Sequence, residues 1–114
     1  MSGDRLAPGI EASSLIRRAE ANGDFAMLLR RGDPDRGSLL IVIRSRGPYV
    51  ACLHRTLSPD GAYRWATTGP AESSLDEEVA DFLARQARFD ADLWLIELDI
   101  AQPERFIAET TSAA

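Results

Sequence analysis

An unbroken apolar run near the middle of the chain, Leu39-Leu40-Ile41-Val42-Ile43, constrains the fold more than any other feature. Successive side chains of a β-strand point to opposite faces of the sheet, so a strand built from this run carries apolar groups on both faces. A strand of that kind belongs in the middle of a sheet. The run therefore predicts a central strand over residues 39–46. It is too short to span a bilayer, and we expect no membrane segment.

Three further strand-like segments accompany this run, and short turn sequences separate them. We predict these strands at residues 25–30, 49–56 and 62–68. The turns lie at residues 33–37, 47–48 and 58–61, where proline fixes φ and glycine tolerates a positive φ. Turns this short favour hairpins, so the four strands are predicted to form an antiparallel meander.

Two helices are predicted from apolar residues that recur every three or four positions. The first covers residues 9–22, and the Asn22-Gly23 pair favours a C-terminal stop. The second begins at a capping box, Ser74 to Glu77, whose acids suit the positive end of the helix dipole.

Residues 93–100 alternate between apolar and acidic side chains, which is typical of a half-buried strand. Trp94, Ile96 and Leu98 share one face, while Glu97 and Asp99 share the other. The preceding helix allows the chain to return, and we predict that this fifth strand lies beside strand one and covers its open edge. Further on, residues 106–107 predict a short strand or a single turn.

Together these elements predict a single α+β domain over residues 1–114, with the order α-β-β-β-β-α-β. We expect a mainly antiparallel five-stranded sheet with two helices packed on one face. Residues 1–8 and 110–114 are expected to be disordered. The predicted core includes Leu15, Ile41, Phe82, Leu83 and Trp94.

All thirteen basic residues are arginines, and they are unevenly distributed. Residues 1–57 hold nine arginines and six acids, whereas residues 58–114 hold four arginines and twelve acids. The net charge of −5 argues against a general nucleic-acid binder, because neutralising phosphates requires a basic surface.

A local anion site is nevertheless compatible with the basic half, since a guanidinium grips phosphates and carboxylates with two N–H groups. The candidates are Arg30, Arg31, Arg36 and Arg55. The alternative, which we favour, is that the arginines pair with the acidic half of the chain, Glu97 and Asp99 especially.

Cys52 and His54 share one face of the third strand and are the one candidate pair of nucleophile and base. No third group is identifiable that would orient them, and same-face neighbours in a strand seldom reach hydrogen-bond geometry. We therefore interpret Cys52 as a small core residue. A single cysteine also excludes an internal disulfide and a multi-cysteine metal site.

Four acids near the end of the chain offer oxygen ligands for a hard divalent cation. They are Asp90, Asp92, Glu97 and Asp99. Solvated surface carboxylates are the commoner state, so we do not expect a metal. The glycines are scattered singly, which argues against a phosphate-cradling loop, and no cofactor is expected.

Several short motifs, by their order and spacing, resemble a known family. They are Gly9-Ile10, Leu15-Ile16-Arg17-Arg18-Ala19-Glu20, Gly23-Asp24-Phe25, Arg30-Arg31-Gly32-Asp33, and Asp90-Ala91-Asp92-Leu93-Trp94 continuing to Glu97. The family is a set of short alphaproteobacterial proteins, domain-of-unknown-function family 1491, and the resemblance covers nearly the whole chain. It implies a bacterial cytoplasmic protein and transfers no catalytic residues.

The sequence thus predicts a small cytoplasmic interaction or adaptor module without enzymatic activity, which binds a protein partner or a second copy of itself. Tyr49, Tyr63 and Trp65 form the predicted contact surface, because aromatic residues near arginines are typical interface anchors. Two alternatives stay open. One is a binder of nucleic acid or of a phosphorylated ligand through the arginines, although a nucleic-acid partner is not expected. The other is a divalent-metal-dependent hydrolase that uses the four acids.

Overall fold

A computed structural model describes residues 7–112, which form three helices and five strands. In chain order the elements are α1 (Pro8–Ala21), β1 (Phe25–Arg30), β2 (Leu39–Arg44), β3 (Tyr49–Leu57), β4 (Tyr63–Thr68), α2 (Asp76–Phe89), β5 (Trp94–Asp99) and α3 (Pro103–Thr111). The predicted α+β class with five strands is confirmed. None of the helices in this part of the chain is long and apolar enough to cross a membrane.

The strands form one mixed sheet in the order β1-β5-β2-β3-β4. β5 pairs antiparallel with β1 and parallel with β2. The prediction that strand five lies beside strand one is confirmed. The prediction of a mainly antiparallel meander is wrong, because β5 separates β1 from β2 and leaves β1 at the edge. β5 suits this position because, like β2, it is buried on both faces.

The connection between β1 and β2 is a wrap around the start of β5, not a hairpin turn. The Asp33 N–H donates to the carbonyl of Asp92 at 3.0 Å, and the Trp94 indole N–H donates to the carbonyl of Asp33 at 2.8 Å. A Cβ added at Gly32 or Gly37 would collide with the carbonyl oxygen of Asp92. Gly37, which the sequence placed in a tight turn, and Gly32 before that turn are therefore required for close packing against β5.

Helices cover both faces of the sheet, so the predicted packing of the helices on one face is wrong. Alternate residues of a strand face opposite sides, which divides the core into two clusters. The α1 face carries Leu39, Ile41, Ile43, Ile96 and Leu98, packed against α1 and α3. The α2 face carries Leu40, Val42, Cys52 and Leu95, packed against Val79, Phe82 and Leu83 of α2. Central strands with apolar residues on both sides need this double cover.

The third helix, α3, corrects the expectation of a short strand or single turn at residues 106–107. Pro103 begins the helix, which suits proline because its missing N–H needs no partner there. Phe106 and Ile107 pack against the core of the α1 face. At the ends of the chain, Pro8 already belongs to α1 and Thr111 to α3. The rest of the expected disordered segments, residues 1–6 and 113–114, lies outside the described residues.

The start of α2 also differs from its prediction, by one residue. The N-cap is Leu75, whose side chain has no acceptor, and Glu78 accepts the Leu75 N–H at 2.8 Å. Only the carboxylate half of a capping box is therefore made. Among the predicted core residues, Leu15, Ile41 and Trp94 are buried, and the other two, on α2, are half-buried.

Candidate functional site

β1 is an edge strand with an unusually apolar exposed surface. Phe25 is 55% exposed, Met27 46%, Leu28 40% and Leu29 41%. No strand within residues 7–112 pairs with its outer side. Since a bare edge presents unpaired N–H and carbonyl groups, apolar side chains beside it make a surface suited to another polypeptide.

The register of β1 on β5 explains why these side chains lie bare. Phe25 and Met27 oppose Asp99 and Glu97, which places them on the α2 face. α2 packs over β2, β3 and β5, through residues such as Val79, and Phe25 and Met27 remain exposed. α2 therefore does not extend over β1, which lies at the edge of the sheet because β5 is inserted between β1 and β2.

The far end of β1 is fastened by Arg30. The register of β1 on β5 shifts between Leu28 and Arg30, which is a β-bulge. The Arg30 guanidinium then donates from Nη1 to the carbonyl of Leu93 at 2.7 Å and to that of Ala91 at 3.1 Å. These bonds to the α2–β5 connection hold the edge strand in place although little covers it.

Two shallow cavities adjoin α1. The first, about 340 Å³, lies between α1 and β1 and is lined by Ile10, Ile16, Leu28 and Trp94. The Arg31 guanidinium at its margin lies 5.8 Å from the centroid of the Trp94 ring, a cation–π distance. This apolar groove adjoins the exposed side chains of β1.

The second cavity, about 440 Å³, lies between α1 and α3. Its charged lining residues are Arg18, Asp24, Arg105 and Glu109, so positive and negative groups are equal in number. Arg105 and Glu109 form an ion pair at 3.1 Å. This balance gives the cavity no preference for an anion.

The four predicted anion-binding arginines do not converge on one site. Arg30 and Arg31 make the contacts described above, and Arg36 is exposed in the β1–β2 connection. Arg55 is only 7% exposed and is held by Glu11 of α1 at 3.3 Å. Its guanidinium also lies 4.8 Å from the centroid of the Tyr63 ring. Three of the four are thus engaged within the chain.

The three predicted aromatic contact residues lie on different faces. Tyr49 is 4% exposed on the α2 face, and its hydroxyl donates to the carbonyl of Pro70 at 2.8 Å. Tyr63 is 37% exposed beneath Arg55, and Trp65 packs against the core of the α1 face. Of the three, only Tyr63 offers a partly open ring, so they do not form one surface.

The cysteine and histidine pair lies in an environment that opposes nucleophilic chemistry. Cys52 is fully buried, and burial raises the pKa of its thiol. The Tyr49 hydroxyl lies 3.5 Å from Cys52 Sγ, and burial raises the pKa of that hydroxyl too. Burial lowers the pKa of His54 despite the nearby charge of Asp90. A buried, protonated thiol is a packing group.

The four candidate metal-binding acids are separated by the length of β5. Asp90 accepts the backbone N–H of Asp92 at 3.0 Å at one end. At the other end, Glu97 pairs with Arg44 at 3.2 Å, and Asp99 accepts the N–H groups of the β2–β3 turn. Among residues 7–112, no three His, Cys, Asp or Glu side chains are grouped so that they could hold a metal ion. The pairing of Glu97 with Arg44 is the kind of neutralisation that the charge distribution favoured.

Sequence reasoning located β1 but missed its exposure. The signal was present in its composition, since Phe25-Ala26-Met27-Leu28-Leu29 is apolar at both odd and even positions and contains no lysine or proline. An interior strand has the same pattern, so only the position of β5 distinguishes an exposed edge from a buried strand.

Comparisons with known proteins agree on one family. The family model described as "Protein of unknown function (DUF1491)" matches residues 6–108. The crystal structure of a DUF1491 family protein from Caulobacter crescentus CB15 is similar to this chain with a TM-score of 0.75 and 28% identity, covering 85% of this chain and 90% of that one. The NMR structure of a DUF1491 family protein from the same organism gives 0.71 and 30%, covering 82% and 84%.

A third structure, the solution structure of protein Atu0922 from A. tumefaciens, gives a TM-score of 0.71 and 28% identity, with 84% of this chain and 86% of that chain covered. No curated protein matched. The resemblance inferred from the ordered motifs is confirmed, and this chain belongs to the DUF1491 family.

Proposed function

We propose that this protein is a non-enzymatic interaction module whose contact surface is the apolar edge strand β1. The observation that carries the proposal is the exposure of Phe25, Met27, Leu28 and Leu29, each at least 40%, on a strand with an unpaired outer side. Addition of a strand at such an edge is a common mode of polypeptide recognition. Main-chain hydrogen bonds supply affinity there, and alternate side chains supply specificity.

Two features of the rest of the chain support β1 over the other candidate functions. Arg30, Arg31 and Arg55 of the anion-site hypothesis already make intramolecular contacts. Glu97 and Asp99 of the metal hypothesis are likewise engaged, by Arg44 and by backbone N–H groups. The exposed apolar side chains of β1 lie together on one strand whose outer side is unpaired, whereas the other strongly exposed apolar residues lie in different elements: Ile10 in α1, Leu57 in β3, and Leu75 and Phe89 at the two ends of α2.

The test is affinity capture from the native bacterium after cross-linking in cells, with quantitative mass spectrometry and with untagged copies of the chain itself counted among the captured proteins. The variant Phe25→Ser/Met27→Ser removes apolar contact at β1. Leu57→Ser is the matched control, because Leu57 is 59% exposed on β3 near the opposite edge. We expect at least one captured protein to be lost with the β1 variant and retained with Leu57→Ser. If both variants capture what the unaltered chain captures, the proposal is wrong.

A further inference from the structure

We propose that the cavity between α1 and α3 binds a small zwitterion whose two charges lie at one end of an apolar body, which is the chemistry of an apolar α-amino acid. This site is separate from the β1 edge and goes beyond the proposed function. The observation that carries it is the distribution of charge around the cavity. The two lining charges that form no ion pair within residues 7–112 lie on the same wall.

The size and the floor of the cavity suit a small molecule. Its volume of about 440 Å³ falls in the range of ligand pockets, roughly 300–1,000 Å³. Core residues form the floor, namely Leu15 and Ala19 of α1, Leu98 of β5 and Ile100 just after it. On the opposite side, Phe106 of α3 adds a half-buried aromatic ring. An apolar body can therefore lie between the two helices and displace water from these surfaces.

The α1 wall carries the two unpaired charges. Arg18 lies in the last turn of α1, and Asp24 lies close to the end of this helix, since its N–H donates to the carbonyl of Ala19 at 2.9 Å. Both side chains line the cavity, and within residues 7–112 neither pairs with the other or with a third charged side chain. Asp24 Oδ1 accepts the N–H of Ala101 at 3.2 Å, which holds the carboxylate in place.

The α3 wall differs because its charges already neutralise each other. Arg105 and Glu109, one helical turn apart, form an ion pair at 3.1 Å. The other lining residues on this side are Phe106 and Gln102. The α3 wall therefore offers a ligand an aromatic ring and an uncharged amide.

These two walls define the chemistry of the ligand. A carboxylate can accept two N–H groups from Arg18, and an ammonium beside it can donate to Asp24. Because both of these protein charges lie on the α1 wall, the charges of the ligand must lie together, and its apolar body extends toward Phe106. A simple carboxylic acid or amine would leave Asp24 or Arg18 without a counter-charge. An apolar α-amino acid satisfies both, and its neutral total charge suits a cavity with equal numbers of positive and negative groups.

NMR titration of the backbone amides of the full chain tests the site, with L-leucine, L-methionine, L-phenylalanine and L-tryptophan each added to about 10 mM. For ligands of about ten non-hydrogen atoms we expect a Kd on the order of 0.1–1 mM. Glycine has both charges but no apolar side chain, and it should bind at least about tenfold more weakly. If none of the four amino acids shifts the amides of the residues that line the cavity, the proposal is wrong.

Two analogues of the tightest-binding amino acid test whether both charges are recognised. One is the carboxylic acid that lacks the ammonium group, and the other is the amine that lacks the carboxylate. Each should bind about tenfold more weakly than the amino acid, because one charge of the α1 wall is left without a counter-charge. An analogue that binds as tightly as the amino acid would contradict recognition of a zwitterion.

Two variants assign each charge of the ligand to its partner. Arg18→Gln should raise the Kd of the amino acid about tenfold and remove the preference for the amino acid over the amine. Asp24→Asn keeps an oxygen for the N–H of Ala101, and it should remove the preference for the amino acid over the carboxylic acid.

The matched controls are Arg17→Gln in α1 and Asp81→Asn in α2, which alter exposed residues that line neither of the two cavities. Both should leave Kd unchanged. Circular dichroism and the urea midpoint establish that each variant is folded. If Arg18→Gln and Asp24→Asn bind the amino acid as tightly as these controls do, the α1 wall does not bind its charged groups and the proposal is wrong.

Discussion

The two edges of the sheet, β1 and β4, are built in different ways. β4 contains Arg64, which pairs with Asp60 at 2.7 Å, ends in two threonines, and lies beside α3. β1 has no charge before its last residue, and that residue, Arg30, reaches back to the α2–β5 connection. Polar and charged residues are how proteins usually protect an edge from pairing with another chain. β4 follows this pattern, whereas β1 has only the bulge between Leu28 and Arg30 and leaves four large apolar side chains exposed beside its unpaired outer side.

The largest expected difference between the two edges is in the free energy of unfolding lost when a glycine is substituted in the connection next to each edge strand. A Cβ at Gly37 in the β1–β2 connection would meet the Asp92 carbonyl and approach Trp94 Cδ1 to 2.8 Å, whereas a Cβ at Gly61 in the β3–β4 turn meets nothing within 4 Å. We expect Gly37→Ala to lower the free energy of unfolding by about 3 kcal/mol, through strain between the connection and β5. Gly61 has a φ of 87°, so Gly61→Ala should cost about 1 kcal/mol.

Urea unfolding of both alanine variants measures this difference. Equal losses of unfolding free energy would show that the β1–β2 connection can shift its backbone away from β5. The connection would then contribute less to holding β1 at the edge of the sheet than its close contacts indicate.

A smaller difference in the free energy of unfolding is expected between variants of the arginines in the two edge strands, Arg30 at the end of β1 and Arg64 near the start of β4. Arg30→Ala removes two hydrogen bonds from a half-buried guanidinium to carbonyl oxygens and should cost about 1–2 kcal/mol. Arg64→Ala removes an exposed ion pair and should cost less than about 0.5 kcal/mol.

Hydrogen exchange of β1 sharpens this test. We expect Arg30→Ala to accelerate amide exchange in β1 and in the β5 residues that pair with it, without a comparable effect of Arg64→Ala on β4. Exchange that accelerates equally at both edges would contradict an anchoring role for Arg30.

The smallest expected effect is a pH dependence that the two edges share. Backbone N–H groups of Asp35 and Arg36 lower the pKa of Asp33 in the β1–β2 connection, and the N–H of Ala62 with Arg64 lowers that of Asp60 beside β4. A carboxylate whose pKa is lower in the folded chain than in the unfolded chain stabilises the fold at pH values above its unfolded pKa, near 3.8. This stabilisation is lost as the pH falls through the folded pKa.

Asp33→Asn and Asp60→Asn should each flatten the fall of the urea midpoint from about pH 5 to about pH 2. Thr67→Ala is the control, because it alters an exposed residue of β4 and removes no ionisable group. A variant whose midpoint falls as steeply as that of the unaltered chain would show that its carboxylate is protonated equally in the folded and unfolded states.

Much of the fold was predictable because it depends on local patterns. The apolar run at residues 39–43 specified a central strand, the alternation at residues 93–100 specified β5, and the spacing of apolar residues specified α1 and α2. α3 was missed because Phe106-Ile107 is too short a signal without the tertiary contact that makes it helical. The wrap at Gly32 and Gly37 was missed because glycine at a turn and glycine at a close contact look alike in sequence.

Less of the candidate site was predictable, since exposure is a property of the assembled sheet. Tyr49 has the composition of an interface residue but is buried beside Cys52, because β3 lies inside the sheet and α2 covers that face. Phe25 and Met27 have the composition of core residues but are exposed, because β5 displaces β1 to the edge.

The sequence by itself determined which segments form the five strands and the first two helices, which side of each is apolar, and which family the chain belongs to, since periodicity, turn residues and ordered motifs are local properties of the chain. Only the tertiary structure decided that β5 enters between β1 and β2, that helices cover both faces, and that one apolar strand is left at the edge. Those outcomes depend on which strand pairs with which, and pairing is decided by how the apolar surfaces of distant segments are best buried together.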